Sequence, residues 1–146
     1  MDAAVAQLKE GAESVGRSLD DITISPQVSV YVTDDPSFAR DRERPHISFY
    51  IGGMGVFYHQ YMHRIGFGEE SDKVKEAFAN RDRERAAELV TDEMVEATTI
   101  IGSPAQCKEK MDMFFSLGVN EIRLVFNEDS NSKQGESMRS LAKYIN

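Results

Sequence analysis

The stretch GSPAQCKEKMDMFFSLGVNEIRLVF, residues 102–126, predicts a helix followed by a strand. Ser103 and Gln106 have the spacing of a capping box, in which each side chain bonds the backbone N–H of the other residue, and Pro104 takes the first helical position. Gly118 is the expected end of the helix, and the EIRLVF that closes the stretch has the composition of a strand. The apolar face of this helix is expected to contain Met111, Phe114, Phe115 and Leu117.

A second strand is predicted at residues 22–32, ITISPQVSVYV, because apolar side chains occupy alternate positions there. Pro26 has no N–H to donate to a sheet, so a bulge or a late start of this strand is expected. A polar loop, NEDSNSKQGE at 127–136, is expected before a final short helix. Apolar spacing and start signals predict the other helices at 2–15, from Pro36 toward Ile51 with a kink or restart at Pro45, at 55–66, at 69–80, and once or twice within 82–98.

The composition fits one globular domain over residues 1–146, with 40% hydrophobic and 29% charged residues. The net charge of -8 argues against nucleic acid or an anionic membrane as a partner, because both attract basic surfaces. No apolar run approaches the length of a membrane span, and the N-terminal residues lack the apolar core of a signal peptide. A single cysteine cannot form an internal disulfide, so a cytoplasmic location is predicted.

The stretch YIGGMGVFY, residues 50–58, has three glycines within four residues and aromatic residues on both sides. A phosphate-binding loop would follow a strand and would space its glycines differently, whereas the preceding residues here have a helical pattern. We therefore interpret the stretch as a break between two helices. Gly52 or Gly53 is expected to be the left-handed cap of the first helix, and the second helix is expected to begin after Gly55.

Three side chains are candidates for metal or thiol chemistry. His59 and His63 lie four residues apart, as two zinc ligands on one helix face would, but no third ligand is apparent in the sequence. We interpret them as half-exposed side chains beside aromatic residues and predict no metal site. Cys107 lies in the first turn of a predicted helix, where the helix dipole lowers a thiol pKa. A reactive thiol and a half-buried structural cysteine are both possible, and the second interpretation is preferred because no histidine is placed to act as its base.

Several stretches resemble the luciferase-like flavin or deazaflavin monooxygenase and reductase family, which includes the deazaflavin-dependent methylenetetrahydromethanopterin reductases. Their order and spacing carry the resemblance, which covers nearly the whole chain. The matching stretches are EGAESVGRSLDDITISPQVSVYVTDD (10–35), RPHISFYIGGMGVFY (44–58), RIGFGEESDKV (64–74), VTDEMVEATTIIGSPAQCKEKM (90–111) and LGVNEIRLVF (117–126).

The resemblance implies a TIM barrel, which takes about 250 residues for its eight strands. A chain of 146 residues with two predicted strands is expected to be the C-terminal portion of such a barrel. It would be an α/β chain that is mostly helical and not a closed barrel by itself. The two strands would be the seventh and eighth, and residues 33–102 would be a helical insertion, or lid, on the substrate side. Without the other strands of the barrel, the strand at residues 22–32 would leave its hydrogen-bonding edges unpaired. A homodimer, or a polypeptide that supplies the missing strands, is therefore expected as a partner.

The resemblance also implies a class of reaction and of cofactor. The family is one of oxidoreductases, and the cofactor would be flavin mononucleotide (FMN) or the deazaflavin coenzyme F-420. Weak binding or none, and no turnover, are expected for this chain alone, because the absent strands carry most of the cofactor contacts in the family. The alternatives are a non-catalytic assembly subunit and a small-ligand-binding remnant.

The candidate site residues form two groups, and no catalytic residue is identified. The substrate-side lid is expected to use Tyr50, Gly53, Met54, Tyr58 and Tyr61. The positions at the strand ends are Tyr31, Thr33, Phe126 and Asn127.

Overall fold

The computed structural model of the chain describes residues 2–145 and divides into two compact units. The first unit combines the residues up to Asp34 with those from Ile100 onward, and the second unit is residues 35–99. Among the helices of residues 2–145, none is both long and apolar enough to cross a membrane. The elements in chain order are α1 (Asp2–Ser14), a 3₁₀ turn (Leu19–Asp21), β1 (Gln27–Val32), α2 (Pro36–Gly53), α3 (Val56–Arg64), α4 (Gly68–Ala79), α5 (Arg83–Glu88), α6 (Asp92–Thr98), β2 (Thr99–Gly102), α7 (Pro104–Ser116), β3 (Arg123–Phe126) and α8 (Asn131–Ile145).

The strands form one open sheet in the order β2-β1-β3, in which β1 and β3 run parallel. The register pairs Gln27 with Arg123 and Val30 with Phe126. Parallel neighbours need a crossover connection, and α7 leads into β3 as the sequence predicts. The core beneath the sheet consists of Val28, Val30, Ile100, Cys107, Met111 and Leu141.

The structure contains a strand that was not predicted from the sequence. The two predicted strands are present but shorter than expected. The missed strand, β2, has four residues and all of them are buried, so it shows no alternation. The strand predicted from residue 22 begins only at Gln27, because Pro26 contributes just its carbonyl, which accepts from the N–H of Arg123. Before it, the backbone of Ile24 bonds the Asn120 side chain instead of a neighbouring strand.

The two helices of the first unit that follow β2 differ in how well the sequence predicts them. The capping box of Ser103 and Gln106 is present at the start of α7. Of the apolar face predicted for α7, Met111 is buried, but Phe115 and Leu117 are exposed. The predicted loop at 127–136 is wrong in its second half, because α8 already begins at Asn131. Ser130 caps this helix, with its Oγ accepting from the N–H of Lys133.

The second unit is a group of helices, α2 to α6, within the range where the sequence predicts them. Pro45 lies inside α2 without a restart of the helix. Arg44 binds α2 to the start of α6, because its guanidinium donates to the carbonyl of Val90 and pairs with the carboxylate of Asp92. Arg40 adds a second ion pair to Asp92, at 3.4 Å.

In YIGGMGVFY, Gly52 is needed for helix packing and Gly55 for the backbone turn between two helices. Gly52 and Gly53 are still part of α2, so the prediction that one of them is a left-handed cap is wrong. The left-handed residue is Gly55, with φ of 85°, which precedes the first residue of α3. A Cβ on Gly52 would lie 2.2 Å from Cγ of Phe78 in α4. Glycine is therefore required at Gly52 because α2 and α4 approach each other closely.

Candidate functional site

The predicted strand-end residues of the first unit lie at the carboxyl ends of two adjacent parallel strands. Phe126 pairs with Val30, which places Tyr31 and Asn127 at the next step of the register. The Asn127 side chain donates to Oγ of Ser29 at 3.1 Å. In α/β sheets and barrels, this edge is where cofactors and substrates bind.

Only some of these strand-end side chains are accessible. Tyr31 is 2% exposed, so its ring belongs to the core. Phe126 is half-buried against the same core. Thr33 and Asn127 are half-buried, and the backbone N–H of Thr33 donates to the carbonyl of Gly102 at 2.9 Å. Among the predicted strand-end residues, the polar side chains at this edge are therefore those of Thr33 and Asn127.

Cys107 is fully buried in the first unit and is not half-buried as predicted. Its Sγ lies 3.4 Å from the carbonyl oxygen of Gly102 and 3.8 Å from that of Tyr31. Burial raises the pKa of the thiol to about 11, and the positive charge of Lys110 offsets only part of this effect. Because the thiolate is the nucleophile, a thiol with this pKa is chemically inert near neutral pH.

Glu128, two residues beyond β3, is a feature that the sequence analysis missed. Both of its carboxylate oxygens are buried and have no hydrogen-bond partner among the residues that the structure describes. A buried carboxylate without donors is unfavourable, because it loses its hydration and gains nothing in return. The carboxylate therefore has unused capacity to accept hydrogen bonds from a group outside the described residues.

We expect Glu128→Gln to stabilise the chain by about 1–2 kcal/mol, because the change removes a charge from a site without donors and keeps the shape of the side chain. Urea unfolding of both forms at pH 7 measures the effect. Glu109→Gln is the matched control, since Glu109 is exposed on α7. An equal or smaller gain for Glu128→Gln than for Glu109→Gln would contradict the prediction.

In the second unit, two of the predicted lid residues are in contact. The Tyr50 ring packs edge-on against the Tyr58 ring, with 4.5 Å between the ring centroids. The Tyr50 ring also packs edge-on against His46, with 4.7 Å between the ring centroids. Nδ1 of His46 lies 3.0 Å from Oε1 of Glu43, whose side chain is buried. The contacts form a continuous row of polar and aromatic groups from α2 to α3.

The other predicted lid residues are Gly53, Met54 and Tyr61. Met54 and Tyr61 are 46% and 44% exposed. Gly53 lies at a shallow groove of about 500 Å³. The groove is lined by Pro45, Ser48, Phe49, Gly53, Phe78 and Arg83. The guanidinium carbon of Arg83 lies 3.2 Å from the centroid of the Phe78 ring, so aromatic and cationic groups meet there.

A cluster of two histidines and one aspartate connects α3 to α4. Nε2 of His59 and Nε2 of His63 lie 2.7 Å and 2.9 Å from the same oxygen, Oδ1 of Asp72. Hydrogen bonds from His63, and then those from His59, hold the pKa of Asp72 below its usual range. The spacing of the two histidines is visible in the sequence, but the role of Asp72 is not, because the turn that returns α4 to α3 is not evident there.

Comparisons with known proteins agree on one family and one fold. The family model described as luciferase-like monooxygenase matches residues 1–121. A curated relative from Mycobacterium tuberculosis, named "Putative coenzyme F420-dependent oxidoreductase Rv3520c", is 30% identical over 144 residues, which are 94% of this chain and 40% of the relative. The 5,10-methylenetetrahydromethanopterin reductase of Methanopyrus kandleri is 27% identical over 122 residues, which are 83% of this chain and 34% of the reductase.

A solved structure extends the comparison to the fold. The coenzyme F420 dependent tetrahydromethanopterin reductase from Methanopyrus kandleri matches with a TM-score of 0.76 at 23% identity. The match covers 99% of this chain and 42% of the reductase. The predicted fold class, a mostly helical part of a TIM-barrel-like α/β fold, is therefore confirmed. The chain spans less than half the length of each of these relatives.

Proposed function

Because the chain belongs to the luciferase-like monooxygenase family, we propose that it is the C-terminal part of an oxidoreductase whose cofactor is a deazaflavin. The names of two relatives contain coenzyme F420, which favours the deazaflavin over FMN. The observation that carries the proposal is the pair of adjacent parallel strands, β1 and β3, whose carboxyl ends lie together with Thr33 and Asn127 beyond them. In a TIM barrel this edge forms the active-site face.

The residues present fit only part of such a cofactor. The hydroxyl of Thr33 and the amide of Asn127 are suited to hydrogen bonds with a ring carbonyl or a ring N–H. The segments that follow β1 and β3, residues 33–35 and 127–129, also contain four carboxylates and no lysine or arginine. This charge repels a phosphate group, so these segments are unsuited to the phosphate-bearing tail of a flavin or deazaflavin.

When bound, the deazaflavin would supply hydride chemistry to the reaction. The role of this chain would be to orient the cofactor ring and to bind the substrate. Thr33 and Asn127 would make the polar contacts to the ring, and the hydrogen bond between Asn127 and Ser29 fixes the amide in position. In the second unit, the row of Tyr50 and Tyr58 and the exposed Tyr61 would offer apolar faces to a ring-containing substrate.

A partner that completes the barrel is part of the proposal. An open sheet of three strands leaves backbone groups of β2 and β3 without strand neighbours among the described residues. The buried and unpaired carboxylate of Glu128 also supports a partner, because it could accept hydrogen bonds from a group outside the described residues. The strands that complete the barrel would lie outside the described residues, and the proposed partner is a polypeptide that supplies them or a second copy of this chain. The free and buried Cys107 fits a reducing compartment, so the proposal places the protein in the cytoplasm.

The second candidate function is a non-catalytic assembly or ligand-binding subunit of the same family. It is favoured by the four carboxylates at the carboxyl ends of β1 and β3, which make a complete cofactor site in this chain alone unfavourable. The two functions differ in what happens when the missing strands are supplied. An oxidoreductase part would then bind the cofactor, whereas a non-catalytic subunit would not.

We expect the 146-residue chain alone to show no saturable binding of the deazaflavin or of FMN up to about 100 μM, because the polar anchors of a binding site are incomplete. Fluorescence titration of the purified chain measures this, with the full-length Methanopyrus kandleri reductase as the positive control for the deazaflavin. Binding by the chain alone at low micromolar concentration would contradict the prediction. A second titration, after co-expression with the N-terminal part of the Mycobacterium tuberculosis relative, separates the two candidate functions.

A further inference from the structure

We propose that His59, His63 and Asp72 form a binding site for a divalent transition-metal ion, and that zinc is the ion that suits it best. Each of the three residues offers one ligand atom, and these atoms all lie within 4.8 Å of one another. The site lies wholly within the second unit and is independent of the cofactor proposed above. It would join α3 to α4.

The local structure brings the three ligands together. His59 and His63 are one helical turn apart on α3, so both rings project from the same face. Asp72 lies on α4 and places one carboxylate oxygen between the two Nε2 atoms, at 2.7 Å and 2.9 Å. The two imidazole rings also contact each other, with 4.7 Å between their centroids. Both Nε2 atoms therefore already face one common point, the position of Oδ1 of Asp72.

The distances are close to those of a zinc site. Zinc binds imidazole nitrogen and carboxylate oxygen at about 2.0–2.2 Å, which places tetrahedral ligand atoms about 3.4 Å from one another. The present separations of 2.7 Å and 2.9 Å therefore have to open by only about 0.5–0.7 Å when the ion replaces the hydrogen bonds. The side chains of His63 and Asp72 are 44% and 59% exposed, which leaves room for that movement.

The ligand types select the ion. Two imidazoles and one carboxylate suit zinc and similar transition metals, whereas magnesium and calcium prefer oxygen ligands alone. Three protein ligands leave a fourth position for water, and the exposure of the site keeps that position open. The net charge of -8 also favours binding of cations over anions.

Gly68 limits how the His63 ring can be placed. A Cβ at Gly68 would lie 2.8 Å from Nδ1 of His63, so a larger residue there would push the ring away from Asp72. The start of α4 thus supports the orientation in which Nε2 faces the carboxylate. The proposed role of the ion is to hold α3 against α4, so that the stability of the second unit increases with the concentration of free zinc.

Isothermal titration of the tag-free chain with zinc chloride at pH 7.5 tests the proposal. We expect one ion to bind for each chain, and we expect His63→Ala and Asp72→Asn to weaken the affinity at least about tenfold. His46→Ala is the matched control, because His46 is also helical and also faces a carboxylate, Glu43, but belongs to α2. Its affinity for zinc should equal that of the parent chain.

A second measurement distinguishes the loss of a metal ligand from the loss of folded structure. Cobalt substituted for zinc should give visible absorption bands typical of four- or five-coordinate sites, and Asp72→Asn should change them while the far-ultraviolet circular dichroism stays that of the parent. The proposal is overturned if zinc shows no saturable binding below about 100 μM, a dissociation constant that corresponds to a binding free energy of about -5.5 kcal/mol. It is equally overturned if His63→Ala and His46→Ala lower the affinity to the same extent.

Discussion

Gly52→Ala is expected to destabilise the second unit by about 3 kcal/mol or more, although alanine is the better helix former. The added Cβ would lie 2.2 Å from Cγ, 2.4 Å from Cβ and 2.6 Å from Cδ1 of Phe78. No real Cβ is found so close to another carbon atom. Phe78 is buried and its Cβ moves only with the backbone of α4, so the helices have to separate. Separation exposes apolar surface of α2 and α4, and this loss outweighs the gain in helix propensity.

Urea unfolding followed by circular dichroism measures the change, and Gly11→Ala is the matched control. Gly11 is also a glycine inside a helix, but nothing lies within 4 Å of a Cβ built there. Gly11→Ala should therefore stabilise the chain by about 0.5–1 kcal/mol. Combining Gly52→Ala with Phe78→Ala should cost less than the sum of the single changes, because the second removes Cγ and Cδ1, two of the three Phe78 atoms that the first would displace. A Gly52→Ala chain as stable as the parent would show that α2 and α4 are not in close contact.

The sequence predicts best those elements whose signals are local. The capping box of Ser103 and Gln106, with Pro104 at the first helical position, is contained in four residues, and α7 begins where it indicates. The helices of the second unit are likewise encoded by apolar spacing over one or two turns. By contrast, β2 is four buried residues long, too short and too uniform to show a period, and it becomes a strand only because β1 lies beside it.

The candidate sites were less predictable, because they depend on distances between residues that are far apart in the chain. The sequence shows that His59 and His63 share a helix face, but only the packing of α4 on α3 places Asp72 between them. The unpaired carboxylate of Glu128 is likewise a consequence of burial, and its sequence neighbourhood resembles an exposed loop. For the same reason YIGGMGVFY suggests a helix cap, although Gly52 faces a ring that lies 26 positions further along the sequence.

Cys107 is expected to make the stability of the chain fall at alkaline pH. In the folded chain its pKa is raised from 9.0 to about 11 because burial disfavours the thiolate. The folded state therefore keeps the thiol proton over a pH range in which the unfolded state releases it. A group of this kind contributes stability that is fully present below pH 9 and is lost as the pH rises through 11. A difference of two pKa units corresponds to about 2–3 kcal/mol.

Tyrosine and lysine side chains also titrate in this pH range, but they do so in both the parent and Cys107→Ala. The difference between the two chains therefore isolates the contribution of the thiol. Between pH 8 and pH 11 we expect the parent to lose about 2 kcal/mol more unfolding free energy than Cys107→Ala, as measured by urea titration at each pH. The cavity left by Cys107→Ala lowers the stability of that variant at every pH and does not alter its slope. The same burial should slow alkylation of the native thiol by iodoacetamide at pH 8 on the order of 100-fold relative to the urea-unfolded chain. Parallel pH profiles for the two chains, together with rapid alkylation of the native protein, would mean that the thiol is in contact with solvent and that α7 does not pack on β1 through Cys107.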